Sequence, residues 1–292
     1  MRPPRALVSA WPHPLIAMPG FSAQAHAGIA VIAADASLDA KAAALAQELG
    51  LPFLRASAAP VLPGLQALLR VEVDGLALQA VSSSGQAPGP VSVDFGAGAM
   101  RHRRRGGQNE LLGKAVGVGK KRGLSVLDAT AGLARDSFVL ADLGCHLLLT
   151  EREPVVGALV AAGLARAMRS PDPWLAEVVS RMRLHRGCAT HLLAPQLAGV
   201  DVIYLDPMFP ERDKSAAVKK EMALFQSLFV RSNAEDDAGA LLDWALHCNV
   251  ARVVVKRPLR APPLCLQRPS HAIVGKAVRY DVYVLRSLGQ TA

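Results

Sequence analysis

Two kinds of hydrophobic patterning share this chain, and they change over near residue 100. Residues 28–34 (GIAVIAA) form a short β-branched apolar run, and Ser37 precedes a stretch from Asp39 to Leu49 that is rich in helix formers and closes at Gly50. This order predicts a strand, a capped helix and a glycine stop. Leu68 to Val73 and Ala77 to Val81 flank Asp74-Gly75, a pair that tolerates the positive φ of a tight turn, and they predict a β-hairpin. A small N-terminal α/β domain over residues 26–98 follows, with the Ser-, Gly- and Pro-containing stretch 82–90 as a loop inside it.

From Leu124 onward, short apolar runs alternate with helical composition. The runs are 124–128 (LSVLD), 146–151 (HLLLTE), 201–206 (DVIYLD) and 251–256 (ARVVVK), most of them ending in a polar residue. Ser137 to Leu143, Pro154 to Met168 and Glu221 to Leu228 read as helices. Such alternation predicts a parallel sheet with right-handed crossovers. Ala272 to Lys276 and Tyr280 to Leu285 are joined by only a few residues, which requires antiparallel pairing. The expected architecture over residues 124–292 is an open parallel sheet ending in an antiparallel hairpin.

Composition narrows the class. A chain of 292 residues with 51% hydrophobic and 20% charged residues is neither a disulfide mini-scaffold nor a disordered segment. No apolar run approaches the roughly 18–20 residues that cross a bilayer, so no transmembrane helix is expected. The 33 Lys and Arg exceed the 24 Asp and Glu, giving +9. Residues 101–122 alone carry eight cations, among them Arg103, Arg104 and Arg105, against one acid, Glu110. That concentration favours a localised phosphate-binding surface over a solvated basic linker, and residues 99–123 read as a basic connecting segment.

Cys145, Cys188, Cys248 and Cys265 lack CxxC spacing, and His185 and His191 near Cys188 complete no ligand set, so neither a metal nor a disulfide framework is expected. Trp174 and Trp244 read as packing residues. Pro12, Pro14 and Pro19 interrupt any signal-peptide helix, which makes residues 1–25 a flexible extension of a cytoplasmic protein.

In an open parallel sheet the ligand lies beyond the carboxyl ends of the strands. Asp128 opens a small-residue turn through Gly132 to Asp136, where a cofactor can approach the backbone and a helix N-terminus. Glu151 follows at the next strand end, placed to accept hydrogen bonds from both hydroxyls of a ribose. Tyr204-Leu-Asp206-Pro207-Met208-Phe209-Pro210 closes a third strand and resembles the Asp/Asn/Ser-Pro-Pro-Tyr/Phe element of amino-methyltransferases. The residue types suit an exocyclic amine whose lone pair is delocalised into its ring. Asp206 and the Pro207 carbonyl can accept hydrogen bonds from its N–H groups, Pro207 has no competing N–H, and Phe209 offers a stacking face.

DATAGLARD (128–136), DPMFP (206–210), KSAAVKKEM (214–222), FQSL (225–228) and VVVKRP (253–258) together resemble the RsmJ-type bacterial methyltransferases of small-subunit ribosomal RNA, as do VDFGAGAMRHRR (93–104) and KAVG (114–117). The resemblance implies a Rossmann-like methyltransferase sheet, S-adenosylmethionine (SAM) as donor and guanine N2 of small-subunit ribosomal RNA, free or in the 30S particle, as acceptor. Carried over residue by residue, it puts cofactor contacts at Arg135, Asp136, Glu151, Arg152, Cys188, Ala189 and Asp206. It adds Lys219, Lys220, Lys256 and Arg257 to the arginine run as RNA contacts. Three positions depart from the family pattern: Ala134 replaces a usual glycine, Cys188-Ala189 stands for two serines, and Gly106 to Asn109 is less rich in glycine and arginine.

Competing readings are an amino-methyltransferase of DNA or protein and a non-catalytic SAM-binding assembly factor. A nicotinamide dehydrogenase fits least, since the first loop lacks its glycine pattern and DPMFP has no role in hydride transfer.

Overall fold

The first apolar run forms Ile29–Ala33 (β1), buried at nearly every position, as a central parallel strand must be. In the computed structural model, which describes residues 28–55, 64–81, 89–98, 108–207, 224–225, 228–229 and 234–289, β1 lies between two parallel neighbours. These are Phe53–Leu54 (β2) and Ala67–Glu72 (β3), and Gly75–Ala80 (β4) pairs antiparallel with β3 in the order β2-β1-β3-β4. Helix Asp39–Leu49 (α1) joins β1 to β2 and stops at Gly50, whose N–H bonds the carbonyls of Ala46 and Gln47.

Two local details differ from expectation. Ser37 is not the cap: Asp35 accepts the Ser37 N–H and starts a 3-10 turn, Ala36–Leu38, ahead of α1. The hairpin pairs Glu72 with Gly75, so Val73 and Asp74 make the turn. The strict in-out alternation of β3 sets this register, because a one-residue slip would turn Ala67, Leu69 and Val71 out of the core.

The small sheet shares its core with the rest of the chain. Val91 exchanges both backbone hydrogen bonds with Leu78 at 2.8 Å, extending β4. The chain then crosses helix Pro154–Met168 so closely that a Cβ on Gly163 would sit 2.5 Å from Val93 Cγ1, an approach that needs glycine. Arg166 ties the crossing by donating to the Val93 carbonyl at 3.1 Å and pairing with Asp94 at 2.9 Å. Phe95 stacks on Phe138, with ring centroids 5.1 Å apart, and Trp174 meets Phe138 edge-on. One buried cluster runs from β1 through these rings to Val254 and Val282.

Part of the basic connecting segment is a helix. Gln108–Val116 buries Leu112, Ala115 and Val116, and the Ala115 carbonyl accepts from buried Arg252 at 2.8 Å.

Among the described residues the second sheet has seven strands: Ser125–Asp128 (β5), His146–Glu151 (β6), Met182–Arg186 (β7), Val202–Leu205 (β8), Arg252–Pro258 (β9), His271–Val274 (β10) and Val278–Val284 (β11). Their order is β10-β11-β9-β8-β5-β6-β7, parallel except that β11 runs antiparallel to both its neighbours. The helices of this part, numbered on from α1, are Gln108–Val116 (α2), Arg135–Asp142 (α3), Pro154–Met168 (α4), Pro173–Ser180 (α5), Ala194–Leu197 (α6) and Ala234–His247 (α7). Strand β7 was absent from the sequence expectation, and β7 (MRLHR) hides because a basic edge strand lacks an apolar run. No helix among the described residues is long and apolar enough to cross a membrane.

Candidate active site

Connections from β5 run to β6 and β7 on one side, and β8 and β9 lie on the other, so the sheet order reverses between β5 and β8. A crevice opens at the carboxyl ends of strands at such a reversal. Four carboxylates gather there: Asp128 ends β5, Glu151 ends β6, Asp206 follows β8, and Asp136 lies in the first turn of α3.

Asp128 pins the turn after β5. It accepts the Thr130 N–H at 3.1 Å and the Ser137 hydroxyl, and burial raises its pKa to about 7 despite both bonds. The next backbone groups turn toward β6, with Ala131 N–H on the Thr150 carbonyl at 3.1 Å and Gly132 N–H on Glu151 Oε2 at 2.8 Å. Gly132 sits at φ 51° with open space beside it, since a Cβ there would meet nothing nearer than the Thr130 carbonyl at 4.0 Å. Ala134, which precedes α3, is held at φ 57°, a left-handed conformation that costs an L residue about 1 kcal/mol.

Glu151 is anchored on both oxygens, by Gly132 N–H and by Glu153 N–H at 2.8 Å. Burial pushes its pKa up to about 7, against these two bonds. The Gly187 N–H donates to the Glu151 carbonyl at 2.8 Å, which brings the start of the next loop, Cys188 and buried Ala189, alongside.

A lysine organises the other pair. Leu205 pairs with Val255, so the next residues, Asp206 and Lys256, emerge side by side from neighbouring parallel strands. Lys256 Nζ donates to Asp206 Oδ2 at 2.7 Å and to Asp136 Oδ2 at 2.8 Å. The buried Tyr204 hydroxyl donates to the same Asp136 oxygen at 2.6 Å. Burial alone lowers the Lys256 pKa, but Asp206 and Asp136 outweigh it and hold the ammonium above the ordinary lysine range. Asp206 is fixed through its backbone as well, its N–H donating to Thr130 Oγ1 at 2.6 Å, while its side chain stays 38% exposed. Pro207 behind it is buried.

This geometry has relatives. The SAM_MT family of SAM-dependent methyltransferases matches residues 58–285. Proteins named Ribosomal RNA small subunit methyltransferase J, from Hahella chejuensis and Marinobacter nauticus, are each 47% identical to the chain, over 85% and 84% of its length and 92% and 87% of theirs. A crystal structure of a SAM-dependent methyltransferase from Neisseria gonorrhoeae is 33% identical, covers 89% of this chain and 97% of its own, and aligns with a TM-score of 0.66. The chain belongs to the SAM_MT family. Its fold is the α/β, Rossmann-like methyltransferase sheet, and its cofactor is SAM.

The site of this methyltransferase fits SAM on its own terms. A carboxylate offers about four acceptor positions, and two backbone donors leave Glu151 room for hydroxyls next to the open, small-residue turn at Gly132. Asp128, Gly132, Asp136, Glu151, Cys188, Ala189 and Asp206 all lie around the same crevice, and Arg135 opens α3 beside them. Arg152 turns aside, to Asp237 on α7 at 3.0 Å. Two residues expected on RNA are placed differently: Lys256 is the clamp between Asp136 and Asp206, and Arg257 is buried, donating to the Pro262 carbonyl.

Phe209, Lys219, Lys220, Arg103, Arg104, Arg105 and the extension 1–25 lie outside the described residues. Sequence reasoning missed Thr130, Ser137 and Tyr204 as site residues, and the polar strand-end pattern that marked Asp206 also marked Lys256. No group of three or more His, Cys, Asp or Glu among the described residues is placed to hold a metal ion.

Proposed function

We propose that this chain methylates the exocyclic N2 of one guanosine in small-subunit ribosomal RNA. The observation that carries the reading is Asp206, a partly exposed carboxylate locked at the crevice by Lys256 and Thr130 and followed by a proline that has no N–H. Further support comes from the relatives' name and from the resemblance of DPMFP to amino-methyltransferase elements.

When bound, SAM supplies a methyl group already activated by its sulfonium. Glu151 takes the ribose hydroxyls, the turn from Asp128 to Gly132 and the start of α3 at Arg135 and Asp136 line the rest of the cofactor site, and Cys188 and Ala189 border the adenine. With Cys188-Ala189 in place of serines, the backbone serves the adenine edge. Asp206 and the Pro207 carbonyl accept hydrogen bonds from the two N–H groups of the guanine amine and turn its nitrogen toward the methyl group, with Phe209 as the stacking face. Lys256 keeps the Asp206 carboxylate from rotating, and positive charge developing on N2 forms beside that carboxylate. Positioning of this kind supplies on the order of 7–11 kcal/mol, so Asp206 acts as an orienting acceptor more than as a strong base. A guanine held in a helix must be turned out to reach it, while Arg103, Arg104, Arg105, Lys219 and Lys220 hold neighbouring phosphates. The substrate puts the reaction in the cytoplasm, on the RNA or the 30S particle.

Mass mapping of modified nucleosides in small-subunit ribosomal RNA, from cells with and without this protein, tests the reading. Loss of a single N2-methylguanosine is expected; identical modification profiles overturn it.

A further inference from the structure

The antiparallel end of the large sheet carries a second concentration of positive charge. From Lys256 to Gly289 the sequence has seven Lys or Arg and one acid, Asp281. Register places the tip of this arm. Val278 pairs with Pro258 and Tyr280 with Lys256, so the turn 275–277 lies beyond the carboxyl end of β9, the end at which Lys256 holds Asp206. With about 3.3 Å per strand residue and about 4.8 Å between strands, that turn is roughly 10–15 Å from the clamp.

Most cations of the arm are committed to the fold. Lys256 and Arg257 are accounted for above, and Arg286 donates to the Asn249 carbonyl at 3.2 Å. Arg279 grips both oxygens of Asp281, at 2.9 and 3.1 Å, and reaches the carbonyls of Pro258 and Leu259 at 3.3 and 2.7 Å. This arginine neutralises the single acid and fastens the turn after β9 beside the turn before β11. Gly275 lets the second turn close onto α2, since a Cβ there would lie 3.0 Å from Leu111 Cδ1. Arg268 is exposed on the connection leading to β10, away from these turns in sequence, and Arg260 and Lys276 remain exposed on the two fastened turns themselves.

We infer that Arg260 and Lys276 form a phosphate-binding surface for the RNA strand flanking the target guanosine. The surface rests on the function proposed above and extends it, because neither residue belongs to the arginine run or to the cofactor crevice. Two fixed turns present their charges at one end of the sheet, and a strand whose guanosine reaches Asp206 passes within that distance. The attraction is to backbone charge and carries no base specificity.

The test uses the full chain and small ribosomal subunits purified from cells that lack it, following methyl transfer over a range of salt. The double variant Arg260→Glu with Lys276→Glu is expected to raise KM for the subunits about tenfold or more near physiological salt, and to lower the slope of log KM against log salt by about 1.4, at roughly 0.7 per lost contact to single-stranded RNA. SAM affinity by calorimetry, kcat at saturating subunits and melting temperature should stay at wild type, and Arg260→Lys with Lys276→Arg should keep the parent slope. If wild type transfers methyl groups while the charge-reversed variant keeps both KM and slope, the surface is wrong and the proposed function stands. If wild type transfers none to the subunits or to the free small-subunit RNA extracted from them, the proposed function falls and the surface with it.

Discussion

Asp128 and Glu151 end two strands of the same sheet as Asp206, yet the two sides of the crevice treat negative charge in opposite ways. On the Asp128–Glu151 side, the donors among the described residues are a hydroxyl and backbone N–H groups, and desolvation raises both pKa values to about 7. On the Asp136–Asp206 side, one ammonium lies within hydrogen-bond distance of both carboxylates and stays protonated because of them. The first side suits neutral hydroxyl donors such as those of a ribose. The second suits an amine that gains positive charge during reaction, since the carboxylate facing it is already fixed and needs no reorganisation.

Removing the lysine breaks the comparison most severely. Lys256→Met leaves two carboxylates facing each other without their cation, and removing one partner of a buried ion pair costs about 3–5 kcal/mol. Because Asp206 is 38% exposed, the lower end, about 3 kcal/mol, is expected from denaturant unfolding. Unchanged stability would show that the lysine does not hold the pair together.

Asp206→Asn asks what the second side does for catalysis. The amide keeps one acceptor oxygen but adds donors that oppose the guanine amine and the Lys256 ammonium. Loss of such a preorganised contact costs on the order of 100-fold or more in single-turnover rate, with RNA affinity nearly unchanged. A folded variant within a few-fold of wild type at saturating SAM and RNA rules out Asp206 as the orienting acceptor.

Glu151→Ala should weaken SAM binding by about 1.5–3 kcal/mol, the range for hydrogen bonds to a charged group. Because the ionised carboxylate is the better acceptor, wild-type affinity should rise with pH through about 7, and Glu151→Gln should flatten that profile in calorimetry. The sign for stability is opposite. A carboxyl whose folded pKa lies above its unfolded value stabilises the fold fully below the unfolded value, 4.5, and loses that contribution as pH rises through about 7. Stability of the protein without cofactor should therefore decline over this window, and Glu151→Gln should make the decline shallower, with Asp128 supplying what remains. An equally steep decline in the variant would remove Glu151 as a contributor.

The smallest effect sharpens the first side. Ala134→Gly relieves a left-handed alanine at the start of α3 at the expense of extra unfolded-state freedom, for a net gain of at most about 0.5 kcal/mol in thermal unfolding. A loss of stability there would mean that burial of the Ala134 methyl outweighs the strain.

Much of the large sheet could be read from the chain because its signals are local. A short apolar run with a polar residue at its carboxyl end describes β5, β6, β8 and β9 within a few residues, and those polar ends are Asp128, Glu151, Asp206 and Lys256. The short connection before Tyr280 likewise announced the antiparallel β10–β11 pair. Edge strand β7 was silent for the opposite reason, since arginine and histidine occupy positions that a central strand would give to apolar residues.

The sequence by itself determined the strand-end carboxylates, the small-residue turn and the Asp-Pro element, since each depends on residue type at close spacing. Only the tertiary structure decided what those groups face. Lys256 lies 50 residues from Asp206 and 120 from Asp136, and Tyr204 is 68 from Asp136, separations at which no local pattern links the partners. Adjacency of β8 and β9 in parallel register turned a lysine expected on RNA into the clamp of the site, and burial against the loop that follows β9 drew Arg257 inward. The close crossing at Gly163 likewise joined the small sheet to the large one, because backbone approach, unlike hydrophobic period, leaves no mark until the chain is folded.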